Sequence, residues 1–447
     1  MKISLVKVKM RKYLELLPPD YAKFYEGDPP LIHNWNIEEA WKDVSIESPL
    51  NIVDMTLRDG EQQTGIYFTP EEKLELFKLM EDVGFNGAEI GFPAVSEDER
   101  KACKLIFAEH PVGLNFVMSR AIKSDVDAAI DVGAPAIDLF TSSSDFHIIH
   151  KLKMDRQTNI DKFLEICDYV RDHDLRVVFG REDCSRADIP YMCKLILAAK
   201  DRLKHCFATF GLADTTGTMT PLTVVWWINA VKAEFAKQGH PEVKPLAIHC
   251  HNDYNLATAN SLASLQCGCS GLNGTVTGIG ERAGNAALEE IITILQGLLG
   301  IKLKIDMEKL YALAKKVSLY SGVPIPVNKP VIGANAFKHE SGIHAAGVLA
   351  HPHTYESIPH AWFGRESVFR YGKFSGTDVV LKDALQPLGI EPTKEQLREI
   401  TLEIKREQVS RGKEKLQKFV QLYNETMDKM GMTIEEVAEI AKKIMKK

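Results

Sequence analysis

The sequence lacks several features that would place it in a specialised class. No apolar run reaches the roughly 18 residues that a membrane-spanning helix needs, so no span is expected. The first dozen residues, Met1 to Lys12, break their apolar pieces with lysines and do not read as a signal peptide. The eight cysteines (103, 167, 184, 193, 206, 250, 267 and 269) contain no Cys-x-x-Cys pair. That argues against a secreted disulfide framework and for free thiols in a reducing cytoplasm. Positive charge is not in excess: 55 Lys and Arg stand against 61 Asp and Glu, a net charge of −6. Nucleic acid or an anionic membrane is therefore not expected as the main partner. Gly (30) and Pro (20) are ordinary for 447 residues, and no low-complexity tract or internal repeat is visible, which excludes collagen-like and disordered classes.

Length alone allows two or three domains, or one large barrel with additions. Residues 1–50 carry Pro18-Pro19 and Pro29-Pro30 among Tyr21, Phe24, Tyr25 and Trp35, and read as an extended arm packed on the body or on a partner subunit. From Asn51 onward, short apolar runs alternate with helical patterns. The runs are 51–57, 87–93, 113–119, 136–142, 175–180, 206–212, 245–250 and 272–278. Such alternation marks βαβ units and a parallel sheet. Thr69-Pro70-Glu71-Glu72 is a helix start, with an N-cap threonine, proline at the first helical position and an acid at the third. Eight units in about 250 residues predict an α/β fold, a TIM (β/α)8 barrel over 51–300, with a doubly wound open sheet as the alternative. Residues 301–375 read as a linker and an active-site-covering subdomain, with a helix at 301–323 and linker prolines at 324, 326 and 330. Residues 376–447 read as a charged, mostly helical C-terminal subdomain.

In such a barrel the active site lies at the C-terminal ends of the strands. The runs deliver Arg58-Asp59-Gly60-Glu61-Gln62, Glu89, Ser119-Arg120, Thr141-Ser142-Ser143, Arg181-Glu182-Asp183, Asp214-Thr215, His249-Cys250-His251-Asn252-Asp253 and Glu281-Arg282-Ala283-Gly284-Asn285 there. His249 and His251 are two apart on a strand and point to one face, a spacing that suits one metal ion. Asp59 and Asn285 end the neighbouring first and eighth runs. Two imidazoles, a carboxylate and an amide oxygen suit Mn²⁺, Mg²⁺ or Zn²⁺ without choosing among them. Cys250 points to the opposite face and reads as packing. Gly278-x-Gly280 has the wrong spacing for a dinucleotide loop, and these glycines read as letting the backbone pass close to a metal or ligand. Trp226-Trp227 read as helix packing.

Leu57-Arg58-Asp59-Gly60-Glu61-Gln62, His249-x-His251-Asn252-Asp253 and Gly278-Ile279-Gly280-Glu281-Arg282-Ala283-Gly284-Asn285 resemble the motifs of the DRE-TIM metallolyase superfamily. The likeness is to its acyl-CoA-condensing branch, the isopropylmalate, homocitrate, citramalate and Re-citrate synthases. The segment from Asn328 through Gly333, Asn335, Phe337 and His339 to His344 resembles the branch's post-barrel region, and the similarity spans roughly residues 50–410. The resemblance implies a metal-dependent Claisen-type condensation of acetyl-CoA, the co-substrate, with a small-molecule 2-oxo acid, followed by thioester hydrolysis. It implies a divalent metal held by Asp59, His249, His251 and Asn285, acting as a Lewis acid on the ketone. It casts Arg58 as stabilising the developing alkoxide, and Glu182, His344 and Tyr355 as the acid–base residues. Thr215 and Gln62 fall among the substrate-binding residues. A homodimer, or a dimer of dimers, is implied, with one subunit's post-barrel segment covering the other's active site.

Several departures bear on the acceptor. The first motif continues Gln63-Thr64-Gly65 where leucine-pathway enzymes usually have Ser-Pro-Gly. The Arg and Ser-His-Gly element that homocitrate synthases carry after strand four is absent; the stretch reads Thr141 through His147 and His150 to Lys151. Arg181 stands where isopropylmalate synthases often have Pro. No regulatory leucine-sensing domain is expected in the remaining length. Arg181, His147, His150 and Lys151 are candidates to grip a second carboxylate. The expectation is oxaloacetate as acceptor and citrate as product, as in Re-citrate synthases. 2-Isopropylmalate, homocitrate and citramalate synthases are the alternatives, and an acyl-CoA lyase such as 3-hydroxy-3-methylglutaryl-CoA lyase is the alternative of a different class.

Overall fold

The computed structural model describes residues 2–47, 49–110 and 114–445. Eight parallel strands close into a barrel in sequence order: β1 Asn51–Asp54, β2 Gly87–Glu89, β3 Leu114–Arg120, β4 Ala136–Ser142, β5 Arg176–Glu182, β6 Phe207–Asp214, β7 Ala247–Cys250 and β8 Gly271–Gly274. Closure is made by β1 against β8, with Asn51 opposite Gly271 and Asp54 opposite Gly274. This is the TIM barrel expected from the alternation, and the open sheet is excluded. The run expected at 113–119 begins outside the described residues.

Several runs are shorter as strands than as apolar stretches, β1, β2, β7 and β8 among them, and at β1 and β8 the chain turns at the barrel mouth. After β1 the Met55 carbonyl accepts the N–H groups of Arg58, Asp59 and Gly60 at 3.2, 2.8 and 3.1 Å. The chain therefore turns at the mouth: Met55 still donates to the Gly274 carbonyl at 2.8 Å, and Thr56 and Leu57 leave the ladder. After β8, Thr277 takes a left-handed φ of 67° inside the turn Val276–Gly278.

The chain divides into two compact units. One comprises residues up to Leu16 together with Phe24–Pro324, the other Leu17–Lys23 with Ile325–Lys447. In the first unit, side chains alternate along each strand between the barrel interior and the helix layer. Phe179 on β5 stacks on Phe163 of the helix Arg156–Asp172, 4.7 Å between centroids, and Phe210 on β6 meets Phe235 of the helix Pro221–Lys237 at 5.7 Å. The interior face carries Gly180, where an added Cβ would lie 2.0 Å from the Asp138 carboxylate. Cys250 is buried on the outward face, as its parity with Ile248 requires. Trp227 is core at 2% exposure, but Trp226 is 63% exposed, so only one of the pair packs.

The helix Pro70–Val83 starts on the expected capping box, with Thr69 accepting from the Glu72 N–H and Glu72 accepting from the Thr69 N–H. The N-terminal segment differs from the expected extended arm. Lys2–Leu14 is an α-helix, because no Pro or Gly interrupts it before Pro18-Pro19. It packs on the body: Tyr13 meets Tyr25 edge-on at 5.3 Å and lies against Gly300, while Asn34 donates to the Leu298 carbonyl at 3.1 Å. The second unit holds a parallel pair of short strands, Lys338–His339 with Val368–Phe369, the helix Gly342–Ala350, and three C-terminal helices, Lys394–Ser410, Glu414–Met427 and Ile434–Met445.

One buried cation fixes the turn after β1. Lys73, fully buried on the helix Pro70–Val83, donates to the Leu57 carbonyl at 2.8 Å and pairs with Glu61 at 2.6 Å and Glu99 at 2.5 Å. The other oxygens of those carboxylates accept the N–H groups of Phe68 and Phe92. Lys73 thus spans Leu57 to Glu61, the residues that flank Arg58 and Asp59. Replacing one member of a buried ion cluster leaves its partners uncompensated, at a cost of roughly 3–5 kcal/mol. Lys73→Met is expected to lose that much stability in urea unfolding; a loss under about 1 kcal/mol contradicts the role assigned to the cluster.

Candidate active site at the barrel mouth

Asp59 follows the turn after β1, and His249 and His251 come from β7 and the residue after it. The His249 Nε2 lies 3.1 Å from Asp59 Oδ2 and 3.3 Å from His251 Nε2, and His251 Nε2 lies 3.9 Å from Asp59 Oδ2. Asn285 is brought alongside by an isolated bridge to His251 and is buried. Its Nδ2 donates to the Ile279 carbonyl at 3.2 Å, while its Oδ1 and the Asp59 Oδ1 are buried without a hydrogen-bond partner among the described residues. Donor separations near 3 Å, with acceptor oxygens left over, are what a divalent cation's coordination shell requires. The residues therefore fit the metal that the sequence implies. The glycines here are structural necessities: Gly280 has φ of +151° and an added Cβ would lie 2.1 Å from Asn285 Nδ2, while at Gly284, φ +88°, it would lie 2.0 Å from the Gly278 carbonyl oxygen.

Arg58 is also buried. Its Nη2 pairs with Glu89 at the end of β2, 2.7 Å away, and its Nη1 approaches Asp59 at 3.3 Å and donates to Gln62 Oε1 at 3.1 Å. Gln62 thus orients the guanidinium. Burial opposes the Asp59 charge, but Arg58 and the two imidazoles prevail and hold it far below the usual carboxylate range. Burial pushes His251 down to about 4, with His249 adding to the effect, so its imidazole is neutral at neutral pH. Burial raises Glu89 and Asp138, and the Arg58 charge only partly offsets it.

Across the mouth, Glu182 ends β5. It accepts from Ser142 Oγ at 2.7 Å and from Lys151 Nζ at 2.6 and 2.7 Å, and His147 Nδ1 lies 3.4 Å away. Burial works against its charge, yet the bonds from Lys151 and Ser142 hold it below the ordinary glutamate value. His147 lies 3.6 Å from Asp183, which Arg186 grips through two nitrogens at 2.7 and 2.9 Å. The Thr215 hydroxyl accepts from the Asp183 N–H at 2.8 Å, which leaves its own O–H to donate. Arg282 ties three loops together, donating to Asp253 at 2.8 and 2.9 Å and to the Thr215 carbonyl at 2.7 Å. Asp138 was not among the residues that the sequence placed at the mouth; the inward parity of β4, which it shares with Ser142, carries its signal.

One candidate acceptor-gripping residue lies elsewhere. Arg181 is 2% exposed in the helix layer, its guanidinium 4.5 and 4.9 Å from the ring centres of Phe179 and Phe210, and Nη2 donates to the Gly211 carbonyl. Strand alternation places it opposite Glu182, so it cannot hold a substrate in the mouth. His150 is exposed beside Phe146, with ring centres 4.8 Å apart. In the second unit, His344 stacks on Tyr355, 4.2 Å between centroids at 25°. The neighbouring Glu356, which sequence reasoning missed, is buried. It accepts from His339 Nε2 at 2.8 Å, His360 Nδ1 at 2.8 Å and Ser367 Oγ at 2.6 Å, fixing the segment that presents Tyr355.

A closed eight-stranded barrel whose mouth gathers a carboxylate, two imidazoles and an arginine defines a TIM-barrel enzyme. Residues 49–317 match the HMGL-like family model, and residues 331–412 match the homocitrate synthase post-HMGL domain-like model. The chain is 39% identical over 373 residues to the homocitrate synthase AksA of Methanopyrus kandleri, covering 83% of this chain and 90% of that one. It is 38% identical over 373 residues to the 2-isopropylmalate synthase of Methanocaldococcus jannaschii, covering 83% and 70%. Among solved structures, the HMG-CoA lyase of Bacillus subtilis shares the fold with a TM-score of 0.55 at 22% identity, over 63% of this chain and 96% of that one. The chain belongs to the HMGL-like family, in its acetyl-CoA-condensing DRE-TIM branch of acyltransferase-type enzymes.

The placement of Arg181 has a direct consequence. Arg181→Met is expected to leave the ratio of kcat/KM between oxaloacetate and pyruvate unchanged within about twofold. An arginine that held the acceptor carboxylate would lower that ratio by roughly tenfold to a hundredfold on removal.

Proposed function

We propose that this protein condenses acetyl-CoA with a 2-oxo acid bearing a second carboxylate, oxaloacetate being the preferred acceptor and citrate the product. The observation that carries the condensation is the convergence of Asp59, His249, His251 and Asn285 beside the buried Arg58. These four residues would hold one divalent cation, which when bound supplies Lewis-acid polarisation of the acceptor's ketone. In the reaction the acetyl methyl group gives up a proton, its carbon bonds to the ketone carbon, and the ketone oxygen gains a proton. Water then splits the thioester, releasing free CoA and the new acid.

Arg58, locked by Glu89 and Gln62, faces the charge that develops on the ketone oxygen without having to reorganise. Thr215 offers its hydroxyl proton to the acceptor's carboxylate. Glu182, ionised at neutral pH, exchanges protons at its carboxylate, with His344 and Tyr355 completing the acid–base set. For the distal carboxylate, with Arg181 turned into the helix layer, the support rests on the cluster His147, His150 and Lys151. An ammonium group has three donors; Lys151 spends two on Glu182 and keeps one. Its side chain is 49% exposed and accessible to substrate.

The test is thiol release from acetyl-CoA with oxaloacetate, 2-oxoglutarate, 2-oxoisovalerate and pyruvate. Oxaloacetate is expected to give the highest kcat/KM. A preference for 2-oxoisovalerate overturns the acceptor, and no thiol release with any acceptor overturns the condensation. Lys151→Met is expected to lower kcat/KM for oxaloacetate by about tenfold to a hundredfold, the worth of one charge-assisted bond. Lys151 depresses the Glu182 pKa, so its loss raises that pKa and moves the acidic limb of the pH profile to higher pH. An unmoved limb contradicts the role of Glu182.

The reading includes a homodimer in which His344 and Tyr355 of one copy serve the barrel of another. Heterodimers of inactive Glu182→Ala and inactive His344→Ala chains then contain one intact composite site, and mixing is expected to restore activity. Subunit exchange with no recovery shows that each site is built within one chain.

A further inference from the structure

At the end of the barrel opposite the mouth, the loops entering two neighbouring strands bring three unlike donor atoms together. Asp174 lies between the helix Arg156–Asp172 and β5; His205 and Cys206 close the turn Lys204–Cys206 that leads into β6. Asp174 and Lys204 both take positive φ, 52° and 54°, in these two loops. The His205 Nε2 lies 2.8 Å from Asp174 Oδ1. Cys206 Sγ lies 3.6 Å from that same nitrogen and 4.0 Å from that same oxygen. Cys206 is buried, whereas the side chains of Asp174 and His205 are 83% and 67% exposed, so the cluster has a protein floor and an open side.

The arrangement is not a proton relay. In a thiol–imidazole–carboxylate relay, the thiol and the carboxylate occupy opposite ring nitrogens. Here both face Nε2, so the three atoms surround a common point. Zinc binds nitrogen at about 2.0–2.1 Å, oxygen at about 2.0–2.2 Å and sulfur at about 2.3 Å, which makes the edges of a tetrahedron roughly 3.3–3.7 Å. The observed separations bracket those edges. A thiol in the set selects a borderline or soft ion over Mg²⁺ or Ca²⁺.

We propose that Asp174, His205 and Cys206 bind one divalent transition-metal ion of the Zn²⁺ type, with water completing the tetrahedron. On binding, the Cys206 thiol proton leaves to solvent and the sulfur coordinates as thiolate. The ion clips together the loops that lead into β5 and β6, a site separate from the mouth in both place and chemistry.

That chemistry makes the test specific, because the Asp59, His249, His251 and Asn285 set contains no sulfur. The full chain, stripped of metal and titrated with Co²⁺ alone, is expected to develop a thiolate-to-cobalt charge-transfer band in the near ultraviolet. The band should saturate within two equivalents, since the sulfur-free mouth set takes a second ion without adding to it, and disappear on adding excess Zn²⁺. It should be lost in His205→Ala, a substitution at an exposed position that the fold tolerates, and retained in His251→Ala. Absence of the band in the unmodified protein, or its survival in His205→Ala, overturns the proposal.

Discussion

The mouth of this barrel is organised around one ionised carboxylate with almost no access to water. Asp59 is 1% exposed, and a bare carboxylate so placed is unstable without compensation. Arg58 supplies the nearest positive charge, the imidazoles of His249 and His251 face the same oxygen, and a backbone bridge to His251 brings Asn285 alongside. Each compensating group is itself held. Glu89 and Gln62 lock Arg58, and the Lys73 cluster pins the backbone on either side of Arg58 and Asp59. The cluster is a chain of dependence running from a buried lysine behind the barrel wall to the donors at its mouth.

Backbone geometry serves the same constraint. Asn285 reaches His251 only because Gly280 and Gly284 allow close approach in conformations that a side chain would strain or block. Arg282 then bridges Asp253 after β7 to the Thr215 carbonyl after β6. The loops around the donors are thereby tied to one another by charged hydrogen bonds, which makes the site preorganised rather than assembled by the ligand.

Much of this was legible in the chain because strand alternation is a strict rule. His249 and His251 share a face while Cys250 opposes them, and the barrel's closure order brings Asp59 and Asn285 to β7. The same rule removes Arg181 from the mouth, since it neighbours Glu182 on a regular strand, and no bulge at that end re-aims it. Lys73 was not legible, because a lysine on an amphipathic helix reads as surface until its carboxylate partners are located in space. Glu356 was hidden for a related reason: its three donors are spread from His339 to Ser367, and no spacing in the sequence brings them together. The N-terminal segment was misread because its prolines and aromatics, which follow the helix, outweighed an uninterrupted stretch at Lys2–Leu14.

The condensation proposed for this chain requires a single divalent cation held by Asp59, His249, His251 and Asn285. The most direct measurement is anomalous diffraction from crystals soaked in Mn²⁺, a hard ion that the thiol-containing cluster disfavours. The prediction is one strong peak within coordination distance of the Asp59 carboxylate and both imidazole Nε2 atoms. A fully loaded crystal with no density there, or with manganese bound only elsewhere, contradicts it.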